Sequence, residues 1–143
     1  MFFDKKEQKV YESDFVKIGA LLIHAAKIDE NYSKEEEEII KKTLLNLGAE
    51  KDDLDIIIKK ARQNEEDTNQ ILDFTKEIKS LAEKDKIKII KSLWRIIYSN
   101  KEADIYETNL MRRLAGLLYI DSKIMGDIKE EIKKEIYNDL HRK

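Results

Sequence analysis

Proline is absent from this chain of 143 residues, and glycine occurs only four times. The tight turns that join β-strands depend on these two residues, because glycine supplies positive φ angles and proline fixes the first turn position. A β architecture is therefore hard to build from this composition. Hydrophobic residues make up 41% of the chain, which is enough for a core of its own. The composition predicts a single all-α domain.

Apolar residues recur at helical spacing in seven segments that are separated by polar breaks. In the second segment, Ser33 and Glu36 form the sequence signature of a capping box, and Gly48 is well placed to end the helix. The fifth segment, around Trp94, has the widest apolar face and is expected to be central and buried. We predict about seven helices in one domain over residues 1–143, with a core at 13–137, an N-terminal extension at 1–12 and a charged tail at 138–143.

Several classes of function are disfavoured by composition. Without cysteine, the chain has no disulfides, thiolate zinc sites or iron–sulfur clusters. The formal charge of −2 disfavours a nucleic-acid partner. No apolar stretch is long enough to span a membrane, and charged residues follow the first three positions at once, so we expect a cytoplasmic protein. With only two histidines and no glycine-rich phosphate loop, an enzyme is not expected.

An internal repeat relates residues 21–48 to residues 92–119 when the chain is shifted by 71 positions. Leu22 then meets Leu93, and Leu47 meets Leu118. The polar breaks coincide too, with oxygen-bearing side chains at positions 1, 3, 5 and 8 of each break: Asp29, Asn31, Ser33 and Glu36 in the first, and Asn100, Glu102, Asp104 and Glu107 in the second. The repeat predicts a pseudo-symmetric pair of helical hairpins. Its oxygen-bearing residues either only cap the following helices or also hold a divalent cation.

Oxygen ligands without thiolates suit Ca²⁺ or Mg²⁺ better than zinc or copper. The first break does not form an EF-hand, because Ile40 stands at the twelfth position from Asp29 where a bidentate glutamate is needed. Lys34 also replaces the glycine that an EF-hand has at its sixth position. A cation site here would therefore be of another type.

Leu93-Trp94-Arg95 opens the second half of the repeat, and Arg112-Arg113 follows its polar break. With these motifs and the paired acidic breaks, the chain resembles the TerB-like domain of the tellurite-resistance proteins, in particular a small stand-alone bacterial branch. The resemblance implies a stress-associated helical module. It places the family's acidic turn positions on Asp29 and Glu36 in the first half, and on Asn100, Glu102, Asp104 and Glu107 in the second.

The chain departs from that family at the glycine after the first acid of each turn. Glu30 stands there in the first turn and Lys101 in the second, while Asn100 replaces an aspartate. The resemblance therefore implies a weaker metal affinity, especially at the second turn.

We expect a non-enzymatic binding module whose acidic turns take a divalent cation or a basic protein partner. The alternatives are a purely structural helical domain without a metal site and a metal-assisted hydrolase. Monomer and weak homodimer both remain open, the latter through Tyr137 and Leu140 at the exposed end of the last helix.

A basic stripe on the fifth helix has two interpretations. Its residues fall at i, i+4, i+7 and i+11: Lys84, Lys88, Lys91 and Arg95. They either bind phosphate or an acidic partner, or form the solvated side of a buried helix.

Overall fold

A computed structural model describes residues 12–27, 33–68, 71–99 and 105–140 of the chain. These ranges hold seven α-helices and no β-strand: α1 (Glu12–Ala26), α2 (Lys34–Asn46), α3 (Leu54–Asp67), α4 (Leu72–Ile78), α5 (Glu83–Ser99), α6 (Ile105–Leu117) and α7 (Ser122–Leu140). A 3₁₀ turn, Lys51–Asp53, precedes α3. The predicted all-α class is confirmed. Nearly all of the predicted N-terminal extension and the end of the predicted tail lie outside the described residues, and the single-domain boundary stays a prediction.

The internal repeat is larger in the structure than in the sequence. Adding 71 to the bounds of α2 gives the bounds of α6, and the same shift places α1 on α5. It also places the 3₁₀ turn and α3 on α7, whereas the sequence indicated only a repeated hairpin. The repeating unit is therefore three helices, and α4 connects the two copies.

α1 and α5 occupy the centre of the fold. α1 packs against α2, α3, α4 and α5, while α5 packs against α1, α2 and α7. Fully buried side chains line both helices, among them Ile18, Leu22, Ile90 and Leu93. Trp94 is buried too, so the broad apolar face predicted for the fifth helix is confirmed.

Two helices include polar residues at one of their ends. The polar run 63–67 forms the last turn of α3, where the Gln63 amide donates to the Asp67 carboxylate over 3.1 Å. α5 begins at Glu83, and the Ala82 carbonyl before it accepts from the Asp85 and Lys86 amides. Most of these polar residues are good helix formers, and a side-chain pair at i, i+4 adds further support.

The end of α2 is closed by a residue with positive φ, as the sequence predicted. Gly48 has φ of 114°, and the Ala49 amide donates back to the Leu44 carbonyl over 2.9 Å. This is a Schellman motif, in which a left-handed residue lets the chain satisfy the last helical carbonyls. Glycine takes this conformation at little cost because it has no Cβ.

Tyr119 occupies the equivalent position at the end of α6. Its φ is 59°, and the Ile120 amide donates to the Ala115 carbonyl over 2.8 Å, so the same motif is built on a tyrosine. A residue with a Cβ pays about 1–2 kcal/mol for the left-handed conformation. The side chain is 72% exposed, and the Lys79 and Lys86 ammonium groups each lie 5.8 Å from its ring centroid. Its contacts with the rest of the fold are therefore few.

Replacing Tyr119 by glycine is expected to raise the free energy of unfolding by about 0.5–1 kcal/mol, because strain is removed and only exposed cation–π contacts are lost. Urea unfolding followed by circular dichroism measures the change. The matched control is Gly48→Ala, which introduces the same strain at the equivalent position and should lower stability by about 1 kcal/mol. A destabilised Tyr119→Gly variant would contradict the strain argument.

The basic stripe of α5 is paired with α7. Arg95 makes a bidentate ion pair with Glu135, with Nε to Oε2 at 2.7 Å, and Lys91 Nζ lies 3.0 Å from the Glu131 carboxylate. Lys88 donates to the Asn46 carbonyl of α2 over 3.2 Å. Three of the four cations therefore have partners within the fold, while Lys84 and Lys88 are also exposed to solvent.

The hydrogen bond from Arg95 holds the pKa of the Glu135 carboxyl below its ordinary value of 4.5 and raises the pKa of Arg95. Because the pKa of Glu135 is lower in the folded state, the pair stabilises the fold above pH 4.5. Its contribution is lost as the pH falls through the folded-state value.

Candidate functional site

The last two of the oxygen-bearing residues predicted for the first turn, Ser33 and Glu36, lie at the N-terminus of α2. Ser33 caps the helix. Its φ and ψ of −93° and 167° are extended, as the position before a helix requires. The Glu36 amide donates to Ser33 Oγ over 3.1 Å, and the Ser33 amide donates to Glu36 Oε1 over 2.8 Å. The predicted capping box is therefore present with both of its hydrogen bonds.

Glu36 is a buried carboxylate, with 0% of its surface exposed. Its Oε1 also accepts from the Ser33 hydroxyl over 3.2 Å. Burying a charge is costly unless it is hydrogen-bonded, and the amide ends of a helix N-terminus further stabilise a negative charge. Ser33 thus fixes the orientation of a carboxylate within the run of four glutamates at positions 35–38.

The other glutamates of the run have different surroundings. Glu37 pairs with Arg62 of α3 at 2.7 Å and with Lys41 one turn along α2 at 3.4 Å. Glu35 and Glu38 are exposed. The run is therefore partly neutralised on the side of α3 and keeps its negative charge on the other side.

The end of α1, which leads into the first predicted turn, is fastened to α3. The Glu65 carboxylate lies 2.9 Å from Lys27 Nζ and 3.3 Å from His24 Nδ1. His24 also packs its ring against Phe74, with centroids 5.8 Å apart. These contacts give His24 a structural role and hold the C-terminal end of α1 against α3 and α4.

The N-terminal end of α2 and the C-terminal end of α5 lie at the same end of the molecule. A cleft of about 340 Å³ is lined by Glu35 of α2, by Ser99 at the end of α5, and by Glu135 and Asp139 of α7. Ser99 directly precedes Asn100, the first oxygen-bearing residue of the second predicted turn. Sequence reasoning missed Glu135 and Asp139, because only the tertiary packing of α7 brings them to this end.

Of the eight predicted cation ligands, the structure describes the side chains of two, Ser33 and Glu36, and brings them together. Five of the predicted ligands lie outside the described residues: Asp29, Asn31, Asn100, Glu102 and Asp104. The backbone of Glu107 lies in α6, and its side chain is also outside the description. Within the described ranges no three His, Asp or Glu side chains form a group that suits a metal ion. The eight-residue ligand set stays a prediction.

A buried lysine contacts the C-terminal end of α6, whereas the second predicted turn precedes the N-terminal end of this helix. Lys86 Nζ donates to the Leu118 carbonyl over 3.0 Å, and its burial lowers the pKa of the amine. A positive charge at a helix C-terminus interacts favourably with the helix dipole. Because this contact is at the C-terminal end of α6, it belongs to the scaffold rather than to the acidic turns.

None of the helices in the described part of the chain is both long and apolar enough to cross a bilayer. Neither a curated protein nor a solved structure matches the chain. A family model described as tellurite resistance protein TerB matches residues 16–130, a range that runs from α1 into α7 and includes both predicted turns. On this match over most of its length, the chain belongs to the TerB family.

Proposed function

We propose that this chain is a non-catalytic binding module of the tellurite-resistance group that takes a divalent cation, Ca²⁺ or Mg²⁺, in its acidic inter-helix turns. The observation that carries the proposal is the cleft shared by α2, α5 and α7. Its walls include Glu35, two residues after the Ser33 cap, and Ser99, the residue before the second predicted turn. We therefore expect the oxygen donors of both turns to bind one shared ion.

The charges around this cleft favour a cation. Glu35, Glu135 and Asp139 line it, and Arg95 is the one basic residue among its lining, already paired with Glu135. Hard cations such as Ca²⁺ and Mg²⁺ take carboxylate and other oxygen ligands. A negative surface of this kind also suits a basic protein partner.

Glu36 contributes a preorganised carboxylate to the first turn. Its hydrogen bonds from Ser33 already hold it in one conformation. A ligand that is ordered beforehand loses little side-chain entropy when an ion binds. We therefore expect the first turn, which also keeps an aspartate at position 29, to dominate the affinity.

The proposal predicts that a divalent cation stabilises the fold. Chelator-treated protein, melted with and without millimolar Ca²⁺, Mg²⁺ or Mn²⁺, should unfold a few degrees higher with at least one ion, because binding to the native state alone adds to its stability. Circular dichroism at constant ionic strength measures the midpoint.

Asp29→Asn combined with Glu102→Gln should abolish the shift while leaving the Ser33–Glu36 cap intact. The matched control is Glu77→Gln on α4, an exposed glutamate that should keep the full shift. If none of the three ions moves the midpoint, the cation proposal is wrong.

A purely structural domain is the second candidate, and the complete capping box favours it. Ser33 and Glu36 satisfy each other's amides, so their presence is explained without a cation. The same melts distinguish the two functions, because a structural domain gives equal midpoints in chelator and in every cation.

A further inference from the structure

A groove between α6 and α7 is the most apolar concave surface among those described. It has a volume of about 450 Å³, and its floor is formed by Trp94, Met111, Ile120 and Met125. A volume of this size, with aromatic and aliphatic walls, is typical of small-molecule sites. α7 packs chiefly on α5 and much less on α6, which leaves the groove open.

The internal repeat shows why this groove is more apolar than its counterpart. Its equivalent in the first repeat lies between α2 and α3, where Leu45 and Asp55 are among the residues that line it. The corresponding positions in α6 and α7 are Gly116 and Gly126, and a Cβ on either glycine would meet no atom within 4 Å. The second repeat thus lacks two side chains that line the first groove, one of them a charged aspartate. Neither glycine has a positive φ, so backbone conformation does not require them.

Trp94, one of the residues that line the groove, has a hydrogen-bond donor that the described residues leave unpaired. Trp94 is 3% exposed, and its indole Nε1 is buried with no acceptor among the described residues. Its ring stacks on Tyr98 with centroids 5.7 Å apart, so the indole is held in place. Buried polar groups normally have a partner, because leaving one unpaired costs about 1–3 kcal/mol. A ligand oxygen in the groove is one such partner.

Two basic residues and no acidic residue line the same groove. Arg112 stands on the α6 side and Lys129 on the α7 side. Lys129 Nζ lies 5.4 Å from the Trp94 ring centroid, and none of the ion pairs among the described residues includes it. Arg112 is exposed and donates to the Asn109 side chain over 3.3 Å. The groove therefore combines an apolar floor with a positively charged edge.

We propose that the α6–α7 groove binds a small organic anion with an apolar body, of the class of medium-chain carboxylates. The alkyl chain lies over the methionines and in the space at the two glycines. The carboxylate meets Lys129 and Arg112, and one of its oxygens accepts from Trp94 Nε1. This site shares no lining residue with the α2–α5–α7 cleft and does not depend on the cation proposal.

Trp94 is the only tryptophan of the chain, so its fluorescence reports directly on the groove. Titration with octanoate should change the emission in a saturable manner. Octanol, which has the same alkyl chain without the charge, should bind at least about tenfold more weakly, a difference of about 1.4 kcal/mol. No saturable change with octanoate, or equal affinity for octanol, would overturn the proposal.

Gly126→Leu should fill the groove and abolish the response to octanoate. The substitution is in a helix with open space at Cβ and raises helix propensity, so the variant should melt no lower than the wild type. The matched control is Asp55→Leu at the equivalent position of the first repeat, which should bind octanoate normally. An unchanged response in Gly126→Leu would place the ligand elsewhere and contradict the proposal.

Lys129→Gln should raise the dissociation constant for octanoate about tenfold and leave octanol binding unchanged. Lys133→Gln, one turn further along α7 and exposed, is its control and should have no effect. The last measurement is the sedimentation velocity of the wild type and of Gly126→Leu, which gives their oligomeric states. A dimer that Gly126→Leu dissociates would show that a second copy of the chain covers the groove, and the carboxylate proposal would then be wrong.

Discussion

Gly19→Leu is expected to lower the free energy of unfolding by about 3 kcal/mol, because α1 and α3 cross too closely at this point for any side chain. A Cβ placed on Gly19 would lie 2.9 Å from the Cβ of Ala61, which is fully buried. Neither group is the flexible end of a long side chain, so the helices themselves must separate. Urea unfolding followed by far-UV circular dichroism gives the change in stability.

A compensating substitution at Ala61 tests the same contact between α1 and α3 without introducing a large side chain. Gly19→Ala should cost less than the leucine variant, because higher helix propensity offsets about 1 kcal/mol of the strain. Adding Ala61→Gly makes room for the new methyl group, so the double variant should be more stable than the sum of the two single changes predicts. Additive effects, or a Gly19→Leu variant as stable as the wild type, would show that the two helices move apart freely.

The same crossing explains why the repeat was only partly visible in the sequence. In the second copy the positions of Gly19 and Ala61 hold Ile90 and Ile132, both fully buried. The two small residues let α1 and α3 approach closely in the first copy. The two isoleucines require a wider separation between α5 and α7 in the second copy. The third helices of the two copies therefore share spacing but not residue type, and only the hairpins matched by sequence.

The features that were predictable from sequence depend on neighbours along the chain. The cap of α2 needs Ser33 and Glu36, three residues apart, and its end needs a glycine at position 48. Both follow from local backbone hydrogen bonds. The positive φ of Tyr119 had no such signal, since tyrosine rarely takes that conformation, and only the repeat places it opposite Gly48.

The candidate sites that depend on tertiary packing could not be predicted from the sequence. The acidic residues around the α2–α5–α7 cleft come from helices about 100 positions apart in the chain, as Glu35 and Glu135 illustrate. The α6–α7 groove depends on what is missing at Gly116 and Gly126, and two glycines within helical segments indicate only weaker helix propensity. Non-local contacts of this kind follow from the fold and not from spacing.

Glu36→Ala is expected to lower the free energy of unfolding by about 3 kcal/mol even in chelator, because a hydrogen bond to a charged group contributes about 1.5–3 kcal/mol and a buried side chain is also removed. The Ser33 amide and hydroxyl both donate to Glu36 Oε1, and both lose their acceptor in the variant. Urea unfolding in chelator isolates this structural contribution from any bound ion.

Asp29→Asn provides the contrast that separates capping from cation binding at this turn. It leaves the Ser33–Glu36 hydrogen bonds in place, so in chelator it should unfold within about 0.5 kcal/mol of the wild type, as surface changes generally do. In Ca²⁺ or Mg²⁺ it should be the less stable protein, because one ligand of the proposed site has lost its charge. A loss below about 1 kcal/mol for Glu36→Ala would mean that the buried carboxylate contributes little to the cap, since removal of a helix cap typically costs that much. The burial of Glu36 would then need a function other than capping, and the cation response of the same variant would show whether the acidic turn supplies it.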